Sequence, residues 1–66
     1  MTLVEKIKYL KKEYGIEYKF IARKIGVSSD RLSKFMKPVE SEYHRKLRDE
    51  HIKKLKQYLS GFVFPQ

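Results

Sequence analysis

Cysteine is missing from this chain. Without thiols there is no disulfide staple, no thiolate metal site and no cysteine nucleophile. No apolar run approaches the roughly 18 residues that a membrane-spanning helix needs. The first residues lack the basic stretch and following apolar stretch of a secretory leader, so a cytoplasmic protein without a membrane partner is expected. A glycine-rich phosphate cradle is missing too. His44 and His51 stand seven apart with no third ligand at a suitable spacing, so no metal site is expected. Serines occur without a matching histidine–acid set, and the carboxylates are few and scattered among lysines. Neither an enzyme nor a bound cofactor or small-molecule substrate is expected. Repeats and low-complexity tracts do not occur.

Basic charge is abundant. The 66 residues hold 16 Lys plus Arg against 8 Asp plus Glu, a net charge of +8 with a pI near 9.8. A chain of this length makes one domain with a small core and marginal stability. On so small a body the charge makes a strong positive field that favours a polyanionic partner. Charge alone also fits a merely soluble, lysine-rich surface.

The stretch that organises the chain is Tyr18 to Lys37, YKFIARKIGVSSDRLSKFMK. Ile21, Ala22 and Ile25 fall on one helical face. Gly26 follows, where a helix end needs a residue that tolerates a left-handed backbone. Val27 can plug the inside of the turn. Ser28 can cap a new helix, its hydroxyl accepting from the free N–H groups. Leu32, Phe35 and Met36 then make a second apolar face. Small Ala22 lets the second helix cross close to the first. The spacing thus predicts two short helices joined by a tight turn, over about residues 18–25 and 29–37.

Around this pair the rest reads as support. A first helix is expected over about residues 2–14, opened by a Thr2–Glu5 capping box and ended by Gly15. Its face is Leu3, Ile7, Leu10 and Tyr14, and Ile16 can fold back on its last turn. Pro38 should stop the third helix. Residues 39–48 read either as a loop with one helical turn or as the upstream part of one long helix. Asp49 looks like the cap of a last helix over about residues 49–59, with Ile52, Leu55 and Leu59 inward. Residues 1–60 then form an all-α, four-helix domain. Residues 61–66 form an apolar tail whose Phe62, Val63 and Phe64 need a partner. Either the tail folds back onto its own core, or it makes a two-fold contact between copies.

Ala22, Gly26, Val27-Ser28, Leu32 and Phe35 resemble the helix-turn-helix of the phage repressor and Cro family. The likeness is close over about twenty residues and loose over the first sixty. It implies sequence-specific binding of double-stranded DNA by a transcriptional regulator, as a phage or mobile-element repressor. It also implies a homodimer on a palindromic site, with the C-terminal tail as a possible pairing strand. The alternatives are a protein-binding module such as an anti-repressor, and a recombination accessory factor. Two positions depart from the family pattern. Glu17 stands where Ser or Thr usually caps the second helix, and Phe20 stands where a polar residue is usual. Phe20 is expected to cover the loop after helix three or the tail.

The third helix would then enter the major groove. With Leu32, Phe35 and Met36 inward, Ser29, Asp30, Ser33 and Lys34 are the candidate base-contacting residues. Lys34 can donate to guanine O6 and N7, and Asp30 can accept from cytosine N4. An acid in a helix's first turn is also stabilising in its own right. Candidate backbone contacts are Tyr18, Lys19, Ser28, Arg31, Lys37, Arg45 and Lys46. Tyr18 stands where the family often carries glutamine, and its ring fits sideways packing equally well. Phe62, Val63 and Phe64 are the candidate dimer or tail contacts.

Overall fold

The computed structural model describes residues 1–65; Gln66, the last residue of the expected tail, lies outside the described residues. The architecture is all-α, with four helices and no strand among the described residues. Helix α1 (Leu3–Tyr9) starts at a complete capping box. The Glu5 N–H donates to Thr2 Oγ1 at 3.1 Å, and the Thr2 N–H donates to Glu5 Oε1 at 2.9 Å. The Thr2 backbone N–H, then the Thr2 hydroxyl, favours the charged carboxylate and holds the Glu5 pKa below its ordinary value. Past Tyr9 the helix widens into a π-helical segment, Leu10–Tyr14. Gly15 closes it in the left-handed region (φ 68°), and Ile16 folds back by donating to Leu10 O at 3.2 Å.

Helix α2 (Tyr18–Ile25) has no side-chain cap. Glu17 turns instead to Lys11, whose Nζ lies 2.6 Å from its carboxylate. That hydrogen bond, then the ammonium charge, lowers the Glu17 pKa. Both partners are exposed, so the pair adds little stability.

Gly26 turns the chain at φ 83°, and the Val27 N–H reaches back to Ala22 O at 2.9 Å. Ser28 then caps α3 (Ser29–Met36), its hydroxyl accepting from the Arg31 N–H at 3.1 Å. Lys37 is extended (φ −71°, ψ 154°), as a residue before proline must be, and the helix ends one residue earlier than the spacing predicted.

Of the two readings for residues 39–48, the loop is correct. Two short turns run through it, with the Ser41 N–H on Pro38 O and the His44 N–H on Ser41 O. Leu47 is its buried anchor, whereas Val39 and Tyr43 are exposed. Helix α4 (Asp49–Leu59) has Arg48, not Asp49, at its N-cap position, and no side-chain cap. Asp49 and Glu50 occupy its first turn, where negative charge meets the positive helix end.

Ile7, Leu10, Ile21, Ala22, Ile25, Leu32, Leu47, Leu55 and Leu59 form one buried cluster. Among the described residues no polar or charged side chain is buried with them. Ala22 is 1% exposed, which is how α3 crosses α2 so closely. Tyr14 is different: half exposed, it sits edge-on to Tyr9 and to Phe62 at the rim.

Phe62 and Phe64 of the tail fold back and pack against the chain's own core. Phe62 lies 5.4 Å from the Tyr14 ring and 5.3 Å from the Tyr58 ring, centroid to centroid. Phe64 lies 5.5 Å from Tyr9, with Lys6 Nζ over its face at 5.3 Å. The alternation sends Val63 outward, where it is 82% exposed. Phe20 covers neither the loop nor the tail. It lies on the outer side of α2, 45% exposed, with Lys24 Nζ 5.3 Å from its ring centroid.

Candidate nucleic-acid interface

α3 is held from behind. Leu32 is fully buried, and Phe35 and Met36 pack on the core from the same side. With three apolar side chains inward, helical geometry sends the rest outward. Ser29, Asp30 and Ser33 are exposed, and Lys34 is half-buried. The tail packs on α1 and α4, through Tyr9, Tyr14 and Tyr58, so it leaves this face open. The helix is about 12 Å long at 1.5 Å per residue, with a diameter of roughly 10–12 Å. A major groove about 12 Å wide accepts such a rod.

Lys34 is not a free cation. Its Nζ lies 3.1 Å from Asp30 Oδ2, one turn earlier. The two candidate base contacts therefore present themselves as one acceptor–donor unit.

The candidate backbone contacts divide into three groups. Arg31 and Lys46 meet directly: Arg31 Nη2 makes a long hydrogen bond of 3.5 Å to Lys46 O. This ties the start of α3 to the loop before α4. Lys37 and Arg45 lie at the other end of the helix. The Arg45 N–H donates to Lys34 O at 3.4 Å, and its guanidinium donates to Glu42 O (3.3 Å) and His44 O (3.0 Å). His44 Nδ1 donates to Lys37 O at 2.9 Å, because a carbonyl can only accept. The His44 ring also faces Phe35, at 6.3 Å. These bonds shape the loop around the end of α3.

Tyr18 and Lys19 form the third group, at the start of α2. Tyr18 is half-buried with its ring packed on the core, which is the sideways packing role. Lys19 is exposed and lines a shallow apolar depression with Gly15, Ile16, Glu17 and Phe20. Ser28 is already engaged as the α3 cap.

Arg48 and His51 were not legible as site residues. They line a cleft of about 280 Å³ with Gly26, Val27, Ser28 and Arg31. Lys54 approaches it from α4: its Nζ would lie 4.0 Å from a Cβ placed at Gly26. So α4 brings cations back to the turn between α2 and α3. The linear pattern held no signal for this, because Arg48, His51 and Lys54 look like ordinary solvated positions of a basic helix. Only the return of α4 across Gly26 gathers them.

Among the described residues no group of His, Cys, Asp and Glu is arranged to hold a metal ion. Among the described residues no helix is long and apolar enough to cross a membrane. Neither a family model, nor a curated protein, nor a solved structure matches the chain.

Proposed function

We propose that this protein binds duplex DNA sequence-specifically, with α3 in the major groove, and acts as a transcriptional regulator. The observation that carries this reading is the outward face of α3. Ser29, Asp30, Ser33 and Lys34 project from a rigidly backed helix that the chain's own tail does not cover. Three further features support it. The net charge of +8 favours a polyanion. Basic residues flank both ends of α3, with Arg31, Lys46 and Arg48 at its start and Lys37 and Arg45 at its end. The left-handed Gly26 turn followed by the Ser28 cap supports reading the pair of helices as a helix-turn-helix.

The mode of action is occupancy: a bound domain blocks a promoter, as a phage-type or mobile-element repressor would. Such a partner implies a cytoplasmic site of action. A palindromic site would call for a homodimer on the DNA. The rival reading, a protein-binding module docking through Phe62 to Phe64, is weakened because Phe62 and Phe64 already pack inward.

Selection of bound duplexes from a random pool, followed by salt titration on the winner, tests the reading. An enriched motif is expected, with log K falling linearly against log salt at a slope of roughly −4 to −6 for five or so phosphate contacts. Failure to enrich any motif, with binding indifferent to salt, would end it.

A further inference from the structure

α3 carries a carboxylate on the side where an acid is least expected. A free acid facing a polyanion repels it, yet Asp30 projects from the outer side of α3 in a chain of net charge +8. Its partner resolves the puzzle. Lys34 Nζ stands 3.1 Å from Asp30 Oδ2, and both groups reach solvent, at 76% exposure for the Asp30 side chain and 39% for that of Lys34.

An acceptor and a donor about 3 Å apart match one edge in particular. In the major groove a G·C pair offers the cytosine N4 amine as donor and guanine O6 as acceptor. These two atoms are joined by the base pair's own N–H···O bond, so they are also roughly 2.9 Å apart. The protein pair can therefore lie on the base pair without breaking its own bond. Asp30 accepts from N4. Lys34 has three N–H groups: one stays on Asp30, and two serve O6 and N7. A T·A pair in the same orientation offers O4 and N6 in the same order, but the thymine methyl group replaces the N7 acceptor. In the reversed pairs each protein group faces its own kind, donor on donor and acceptor on acceptor.

The same pairing discriminates against phosphate. Lys34 alone would grip any backbone. Held by Asp30, its charge is locally cancelled, and the carboxylate turns phosphate away. We infer that Asp30 and Lys34 act as one reading unit, which selects a single G·C base pair and suppresses attachment to arbitrary DNA. This inference rests on the DNA-binding reading above and adds the base pair that the helix reads.

The test uses the full chain, wild type and three variants: Asp30→Asn, Asp30→Ser and Lys34→Gln. Each is checked for folding by circular dichroism, then carried through selection from a random duplex pool. Anisotropy measures affinity for the selected site, for its G·C→T·A and G·C→C·G versions, and for random duplex. Asp30→Asn and Asp30→Ser should bind random duplex about three- to tenfold more tightly at low salt, since one repulsive charge is gone. Lys34→Gln and both Asp30 variants should flatten preference at the same single base pair, losing roughly fivefold to a hundredfold in discrimination there. Asparagine can itself favour adenine, so Asp30→Ser separates loss of reading from a new reading. The Lys34→Gln arm stands even if Asp30 proves necessary for folding. Wild-type binding to a motif, with the variants flattening different positions or none, would overturn the inference and leave DNA binding intact. Weaker binding of random duplex by folded Asp30 variants would also overturn it. Absence of any duplex binding by wild type would sink both.

Discussion

Replacing Gly26 by alanine separates backbone conformation from packing at the turn between α2 and α3. Gly26 has φ 83°, and a Cβ added there would meet nothing nearer than the flexible end of Lys54, at 4.0 Å. Sterics with other residues therefore contribute nothing. What remains is the left-handed backbone, which costs an L-residue roughly 1–2 kcal/mol. Alanine also narrows the unfolded ensemble, which offsets about 0.4–1 kcal/mol. The net expectation is a loss of about 1 kcal/mol. For a domain this size that lowers the Tm by roughly 4–8 °C. It is a sizeable part of a total stability of about 3–10 kcal/mol.

Two other glycines provide the control. Gly15 has φ 68° and nothing within 4 Å of an added Cβ, so Gly15→Ala should cost a similar amount. At Gly61 the backbone is not left-handed, and an added Cβ would lie 3.5 Å from Tyr58 O, an ordinary contact. Gly61→Ala should then fall within about 0.5 kcal/mol of wild type. Asparagine tolerates the left-handed region better, so Gly26→Asn should recover part of the loss. Urea unfolding followed by circular dichroism measures all four. A neutral Gly26→Ala, or a Gly61→Ala as damaging as Gly26→Ala, would refute the conformational argument.

Leu32→Ala empties a fully buried site on α3 and should cost about 2–5 kcal/mol, read as a lower midpoint in chemical denaturation. Phe62→Ala removes ring contacts to Tyr14 and Tyr58 and should cost about 1–3 kcal/mol, while DNA affinity of the folded fraction stays unchanged; a large affinity loss would place the tail at the interface. The folded-state pKa values of Glu5 and Glu17 lie below the ordinary carboxylate value. Their contribution is present above the unfolded pKa, near 4.5, and is lost as pH falls through the lower folded values. Glu5→Gln should therefore flatten the acid limb of the stability–pH curve, which thermal melts from pH 2 to pH 6 can read. Arg48→Ala should weaken specific and random duplex alike and make the salt slope shallower by about one unit; loss confined to the selected site would assign it a base contact instead.

Local chemistry was legible in the residue order because its causes are local. Thr2 with Glu5 meant a capping box, and the bonds form as the pattern required. Gly26 followed by Ser28 meant a left-handed turn and then a cap, since few residues serve either role well. The four-residue step from Ile21 to Ile25 and the three- and four-residue steps from Leu32 to Phe35 and Met36 marked the inward faces, because a helix repeats every 3.6 residues. Capping at the last helix was misplaced by one residue. Asp49 suits both the cap and the first turn; it stands in the first turn, and the N-cap position falls to Arg48 without a side-chain cap.

Other features needed the folded chain. Residues 39–48 have weak preferences of their own, so Leu47 sinking into the core decided between loop and helix. Phe62, Val63 and Phe64 declared that apolar surface must be covered, but not by what. Tyr9, Tyr14 and Tyr58 supplied the cover only once the folded chain brought three separate segments to the tail. The basic side chains around Gly26 likewise come from residues more than twenty positions away, at Arg48 and Lys54, with His51 beside them. Helix periods, caps and turns are set by neighbours along the chain, and the sequence determined them. Which surfaces meet depends on contacts between distant segments, and the tertiary structure alone decided that.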